Sequence, residues 1–298
     1  MVEENEQAES YGKLFRELRE QKHISLREAA FGILSKSQLS RFELGENDIS
    51  LSKFLLLLEN INFSMAEFLE ISDQHENKKN TRSFEEAGLL EQNGKISELL
   101  ELCKKESLAY QRSEKFEHHL NSIALKAVLC NYGKYKRLSQ YELEILIEYF
   151  VDLTTWSRYD LYVFLFTLQH LPYDMVKELT KDLLSQKNFY EKIPENQNLI
   201  LMTLRNLSVV MVEHNEIPQA QAILEKFREV GKTHWSINVG ISYELIRANL
   251  YEAHRDFQKS SEILEDVVFV FERFGNSATA KIYCEEIKKL RKKQGNRP

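Results

Sequence analysis

The stretch LSKSQLSRFELGE, residues 34–46, decides how the N-terminal part of this chain folds. Ser35 is a good helix N-cap, and Gln38 follows at the S-x-x-Q spacing of a capping box, so a helix is predicted to start here. Leu39 and Phe42 fall three apart and can face a core. Ser35, Lys36, Ser37, Gln38, Ser40 and Arg41 are left to the remaining faces, and Gly45 supplies the C-cap. Arg, Lys and Gln have the geometry to bond base edges, and Ser bonds a base or a phosphate. A short capped helix with a donor-rich, carboxylate-poor outer face suits a DNA major groove. The same residues also suit an ordinary surface helix, so the neighbouring segments have to decide.

Gly12 to Lys22 reads as a helix with Leu14, Phe15 and Leu18 at helical spacing. Ser25-Leu-Arg-Glu28 is a second capping box, opening a short helix that Gly32 breaks. After a polar loop, Leu51 to Asn60 is a fourth helix with Phe54, Leu57, Leu58 and Ile61 inward. Ser64-Met-Ala-Glu67 is a third capping box and opens a fifth helix carrying Phe68 and Leu69. Five short helices, the second and third joined by a tight turn, predict a helix-turn-helix domain over residues 1–71.

Residues 11–71 resemble the phage-repressor class of helix-turn-helix domains. SKSQLSRFE, with GKLFRELRE before it and LSKFLLLLENIN after it, is similar to the Rgg (MutR, GadR) family of transcriptional regulators. The resemblance implies a Gram-positive bacterial regulator that joins such a domain to a TPR-like helical domain. It also implies a short secreted peptide, imported into the cytosol, as the signal. It assigns Arg19 and Glu43 to a buried structural ion pair, a pair that is costly to break from one side. Leu26 departs from the pattern, because phage repressors often place a phosphate-contacting Gln there.

Ten Gly and four Pro in 298 residues, with no alternating strand pattern, give an all-α composition for about two domains. The net charge of −6 argues against a nucleic-acid binder until it is located. From Ser10 to Ile61 there are eight Lys and Arg against seven Asp and Glu, 8 − 7 = +1, while residues 3–9 carry four Glu in a segment expected to fray. A module so weakly charged is expected to bind DNA as a pair, in a homodimer. Cys103, Cys130 and Cys284 lack C-x-x-C or C-x-x-H spacing and read as core thiols of a cytoplasmic protein. The acidic start carries no signal-peptide pattern, and no apolar run approaches the roughly 20 residues that span a bilayer.

Ser72 to Thr81, SDQHENKKNT, has no apolar residue and is expected to be a linker, with the boundary at 72–82. Beyond it, residues 83–298 read as eleven helices with short loops, and helical pairs begin near 158, 197 and 238. A spacing of roughly forty residues is the mark of a TPR-like α-solenoid, whose first helices line the concave side. Asn215 to Leu224 and Arg255 to Leu264 each place a polar turn ahead of an amphipathic second helix.

The presumed first helices carry Arg158; Asn198, Met202, Arg205 and Asn206; then Asn238, Tyr243, Arg247 and Asn249. Asn donates and accepts at once, which suits an extended peptide backbone, and Arg158 or Arg247 suits a terminal carboxylate. The peptide-binding set is therefore Arg158, Asn198, Arg205, Asn206, Asn238, Tyr243 and Arg247.

No Gly-rich phosphate loop, G-x-S-x-G or H-E-x-x-H occurs. His118 and His119 diverge by about 100° on a helix and cannot easily share a metal. The reading is a regulator with no enzyme activity, no cofactor and no metal. The basic run from Lys288 to Lys293 suits a helix C-terminus, or a cap on a partner or a ligand. The favoured function is peptide-controlled operator binding. One alternative leaves the repeats only a dimerising or protein-binding role. A peptide-regulated phosphatase or inhibitor is the other, and the helix-turn-helix domain counts against it.

Overall fold

The computed structural model describes residues 2–76, 81–185, 194–232 and 236–295. The chain divides into two compact units, residues 1–79 and 80–298. Every described element is an α-helix. No helix among the described residues is long and apolar enough to cross a membrane.

The first unit holds α1 (Val2–Gln21), α2 (Leu26–Ala29), α3 (Lys36–Glu43), α4 (Leu51–Asn60) and α5 (Met65–Glu76). Helix α1 begins ten residues before Gly12, through the segment expected to fray, and α5 continues five residues past Ile71 into the stretch read as linker. A helix once nucleated propagates through Ser, Asp, Gln and Glu without needing an apolar stripe. Ser72 is buried, so the apolar count misjudged this stretch.

Phe54 sits at the centre of the core, with ring centroids 6.1 Å from Phe15, 5.9 Å from Phe42 and 4.9 Å from Phe68. Helices α1, α3, α4 and α5 thus share one aromatic cluster, whose edge-to-face contacts add about 0.5–1.5 kcal/mol each beyond burial. Leu26 packs on the rim of this core, which accounts for an apolar residue at that position.

The second unit opens with α6 (Arg82–Gln92), α7 (Ile96–Ser113), α8 (Phe116–Asn131) and α9 (Gln140–Val151). Three helix pairs and a last helix follow: α10 (Arg158–Thr167) with α11 (Tyr173–Ser185), α12 (Pro194–Glu213) with α13 (Ile217–Gly231), α14 (Ile237–Ala253) with α15 (Phe257–Arg273), then α16 (Ser277–Gly295). The first helices form a row, with α10 packed on α12 and α12 on α14.

One turn recurs. Lys95 N–H bonds the Leu90 carbonyl, Glu216 the Met211 carbonyl, Asp256 the Tyr251 carbonyl and Asn276 the Phe271 carbonyl, each at 2.8 Å. The residue before each donor is left-handed: Gly94, Asn215, Arg255 and Gly275. This is the Schellman closure of a helix; it ends α6, α12, α14 and α15 here, and it also ends α1, α3, α4 and α8, with His23, Gly45, Asn62 and Gly133 left-handed. The α6–α7 copy had no sequence counterpart in the expected repeats.

The basic run of α16 pairs with carboxylates on neighbouring helices. Arg291 reaches Glu265 of α15 at 2.6 Å and Lys293 reaches Glu252 of α14 at 2.8 Å. Cys103 is buried, which pushes its thiol up to about 11.

Candidate nucleic-acid interface and ligand face

Helix α3 is fixed at both ends. Ser35 Oγ accepts from Gln38 N–H at 3.2 Å, and Gln38 Oε1 accepts from Ser35 N–H at 3.1 Å. Leu39, Phe42 and Glu43 are buried. Arg19 Nε and Nη2 each donate to Glu43 at 2.7 Å, and Arg19 Nη1 donates to the Ile24 carbonyl at 2.9 Å. The bidentate pair ties α3 to the end of α1, and the extra bond satisfies the donor that Glu43 leaves. The Glu43 hydrogen bonds raise the Arg19 pKa against the desolvation that lowers it.

The tie also removes the one carboxylate of α3 from its outer face. Lys36, Ser37, Gln38 and Arg41 remain exposed and Ser40 half-buried. Arg41 is 62% exposed and meets the exposed Glu46 at 3.4 Å. Screening leaves such a pair worth little, so the Arg41 fork is available to a base or phosphate. Gln38 is more constrained than its sequence position implied. Its carbonyl oxygen is spent on the cap, so only its amide donors face outward, and bidentate pairing with adenine would cost the cap. Ser35 Oγ is likewise engaged by the cap and lies 3.1 Å from Ser37 Oγ.

The turn before α3 is pinned from a distance that sequence reasoning missed. Asn60 Nδ2, at the end of α4, donates to the carbonyls of Ala29 at 2.9 Å and Phe31 at 3.2 Å. The only available signal was a polar residue closing an apolar helix.

In the second unit the seven expected ligand residues separate. Asn198, Met202, Arg205, Asn206 and Val209 form the open stripe of α12, whose other faces pack against α10, α13 and α14. Asn238 lies on the side of α14 that also carries Ser242, Asn249 and Glu252, interrupted at its centre by the buried Leu245. Glu252 is the residue that reaches Lys293 of α16.

Tyr243 and Arg247 lie elsewhere on α14. Tyr243 packs on Phe227 of α13 with centroids 6.3 Å apart, and Arg247 opens onto a cleft of about 470 Å³ shared with Gln221 and Glu225 of α13. Arg247 is also held by Glu244 at 2.7 Å. Five residues separate Asn238 from Tyr243, about 140° of helical rotation, so one helix cannot turn both to the same face. Arg158 meets Glu85 of α6 at 3.4 Å and also interacts with Tyr162. Tyr243, Arg247 and Arg158 thus lie off the α12 stripe, each in contact with a neighbouring side chain.

His118 Nδ1 lies 2.6 Å from Glu106 Oε2, while His119 stacks on Tyr110 with centroids 4.2 Å apart. The adjacent imidazoles diverge as helical geometry requires. Among the described residues no group of three His, Cys, Asp or Glu side chains is placed to hold a metal ion.

Residues 100–271 match the family model for the C-terminal domain of the HTH-type transcriptional regulator Rgg, and residues 15–68 match a helix-turn-helix model. Among solved structures, a protein of Listeria monocytogenes EGD-e described as a transcriptional regulator is similar at TM-score 0.78 and 21% identity, over 97% of this chain and 100% of that one. The SHP pheromone receptor Rgg2 of Streptococcus dysgalactiae gives TM-score 0.74 and 21% identity over 94% and 99%. A bacterial peptide pheromone and receptor complex gives TM-score 0.68 and 13% identity over 94% and 98%. At these identities the likeness is one of fold.

Proposed function

The chain belongs to the Rgg family of HTH-type transcriptional regulators, and from that premise we propose a homodimeric, cytoplasmic, sequence-specific DNA-binding regulator controlled by a short peptide. The observation that carries the DNA half is the outer face of α3. Its donors are exposed while its own carboxylate is bound inward to Arg19. We assign base or phosphate contact to Lys36, Ser37, Ser40, Arg41 and the amide donors of Gln38, with Ser35 as the cap that orients them.

The peptide half rests on the open stripe of α12 and on the Asn238 side of α14. Asn198, Asn206 and Asn238 offer a donor and an acceptor each to an extended backbone, and Met202, 50% exposed, offers apolar floor. A relative that is a pheromone receptor and another solved as a peptide pheromone complex support the choice of ligand. In this reading residues 1–71 read DNA, and residues 83–298 dimerise and sense. Two modules of charge near zero gain from being held side by side, where the second contact is intramolecular.

The test is a paired titration of the full-length protein. Operator fragments recovered by in-vitro selection are bound with and without short synthetic peptides, and the mass of the complex is measured alongside. Two-fold symmetric sites bound by two copies, with affinity changed by peptide, are expected. Non-palindromic sites bound by one copy overturn the dimer. Operator binding indifferent to every peptide leaves the repeats a dimerising role alone.

A further inference from the structure

Of the three arginines on the first helices of the repeats, two already face a carboxylate of the protein. Arg158 meets Glu85 at 3.4 Å, and Arg247 is bound by Glu244 at 2.9 and 2.7 Å. Arg205 is different. Among the described residues its guanidinium makes no hydrogen bond and no ion pair within 4.0 Å. It is half-buried on the open stripe of α12, one turn beyond Met202 and beside Asn206. A guanidinium held in a partly desolvated place without a close counter-ion is costly, and an arriving carboxylate relieves that cost through two parallel hydrogen bonds.

The surroundings of Arg205 on α16 fit this role. Its charge acts on Tyr283 and Glu286, so α12 and α16 approach one another there. Glu286 is reached by water, yet its pKa is raised, first by desolvation and then by Glu252, against Lys289 and Arg205, which lower it. Its companion carboxylate, Glu252, is bound to Lys293 at 2.8 Å.

Resting on the peptide reading above, we propose that Arg205 receives the free C-terminal carboxylate of the peptide. The ligand is then a peptide with an unmodified C-terminus, read from its end as well as along its backbone. Asn198 and Asn206 share the Arg205 stripe and take backbone amides next to that end.

The probe is a synthetic octapeptide library of randomised sequence with free C-termini. It is equilibrated with the full-length protein, and the bound peptides are identified by mass spectrometry. The strongest binder is remade as its C-terminal amide, and both forms are titrated by fluorescence polarisation. Wild type is expected to prefer the acid by about tenfold or more, the usual range for one charged hydrogen bond. Arg205→Ala is expected to bind both forms alike, at the level of the amide. Arg247→Ala is expected to keep the preference.

Indifference of wild type to amidation overturns the proposal and leaves the peptide reading standing. So does an undiminished preference in Arg205→Ala. Failure of the whole library to bind overturns the peptide reading, and this proposal falls with it.

Discussion

Gly12 in α1 lies against the Phe42 carbonyl of α3 so closely that a Cβ built on it would stand 2.0 Å from the oxygen and 2.9 Å from the carbon. Both atoms are backbone, so no side-chain rotation relieves the clash. Gly12→Ala therefore has to push α3 away from α1, at a cost of about 1–3 kcal/mol for overpacking. Because α3 carries the donor face, operator affinity should fall with stability. Urea denaturation followed by circular dichroism, with gel shifts on the same samples, measures both. An unchanged midpoint would show that the two helices do not approach this closely.

The Arg19–Glu43 pair holds the other end of the same contact. Removing one partner strands the other in the core, so Glu43→Gln is expected to destabilise the protein by roughly 3–5 kcal/mol. Replacing both, as Arg19→Met with Glu43→Leu, removes the stranded charge and should recover a large part of the loss. Equal damage from the single and double variants would mean that the pair specifies packing in a way that apolar groups cannot replace.

The first unit was legible because its signals are local. The boxes at Ser25, Ser35 and Ser64 each occupy four consecutive residues, and each forms as spaced. The helix pairs were legible too, from breaks at Pro and Gly. What the sequence hid was which stripe of a helix faces which neighbour. Asn238 and Arg247 lie on one helix at similar polarity, and only the packing of α13 against α14 tells them apart. The Glu244–Arg247 pair lay three residues apart and was open to reading; the Arg158–Glu85 pair joins α10 to α6 and was not. The recurring turn was half visible, because Gly94 and Gly275 announce it, while Arg255 takes the same left-handed place without being glycine.

Arg41→Ala tests the donor face without touching the core. Arg41 is exposed, and its Glu46 contact is a long one at 3.4 Å. The fold should be unaffected, while specific operator binding should fall by about 1–3 kcal/mol per half-site. Arg41→Lys should recover only the part due to charge, since Lys cannot reproduce the fork. Gel shifts against specific and scrambled duplexes separate the two losses. Full retention of affinity by the alanine variant would place another face of the unit on DNA.

His170 sets an acid limit on the second unit. Its Nε2 lies 3.0 Å from the Ala127 carbonyl, as a neutral ring donating from that nitrogen would. Burial lowers its pKa below the ordinary value of 6.5, although the bond to Ala127 opposes the shift. The folded state thus holds fewer protons than the unfolded state as pH falls, and stability falls with it. The contribution is complete above the unfolded value and is lost as pH drops through the folded one. Denaturation midpoints are expected to decline from pH 7.5 toward pH 5, and His170→Gln should flatten that slope. A slope unchanged by the substitution would assign the acid sensitivity elsewhere, His119 being the next group lowered by burial.

Gly275 closes the α15–α16 turn at φ +80°, with nothing within 4 Å of the place a Cβ would occupy. Any effect of substitution there is conformational, free of steric contact. Alanine in a left-handed position costs about 1–2 kcal/mol. Losing the freedom of glycine in the unfolded chain returns about 0.4–1 kcal/mol of that. Gly275→Ala should then destabilise the protein by about 1 kcal/mol, whereas Gly275→Asn should cost less, since Asn215 already serves the equivalent turn at φ 59°. The ordering of wild type, Asn and Ala in thermal denaturation is the measurement. If Ala equals wild type, the turn does not hold its left-handed residue in solution as Gly94, Asn215 and Arg255 hold theirs.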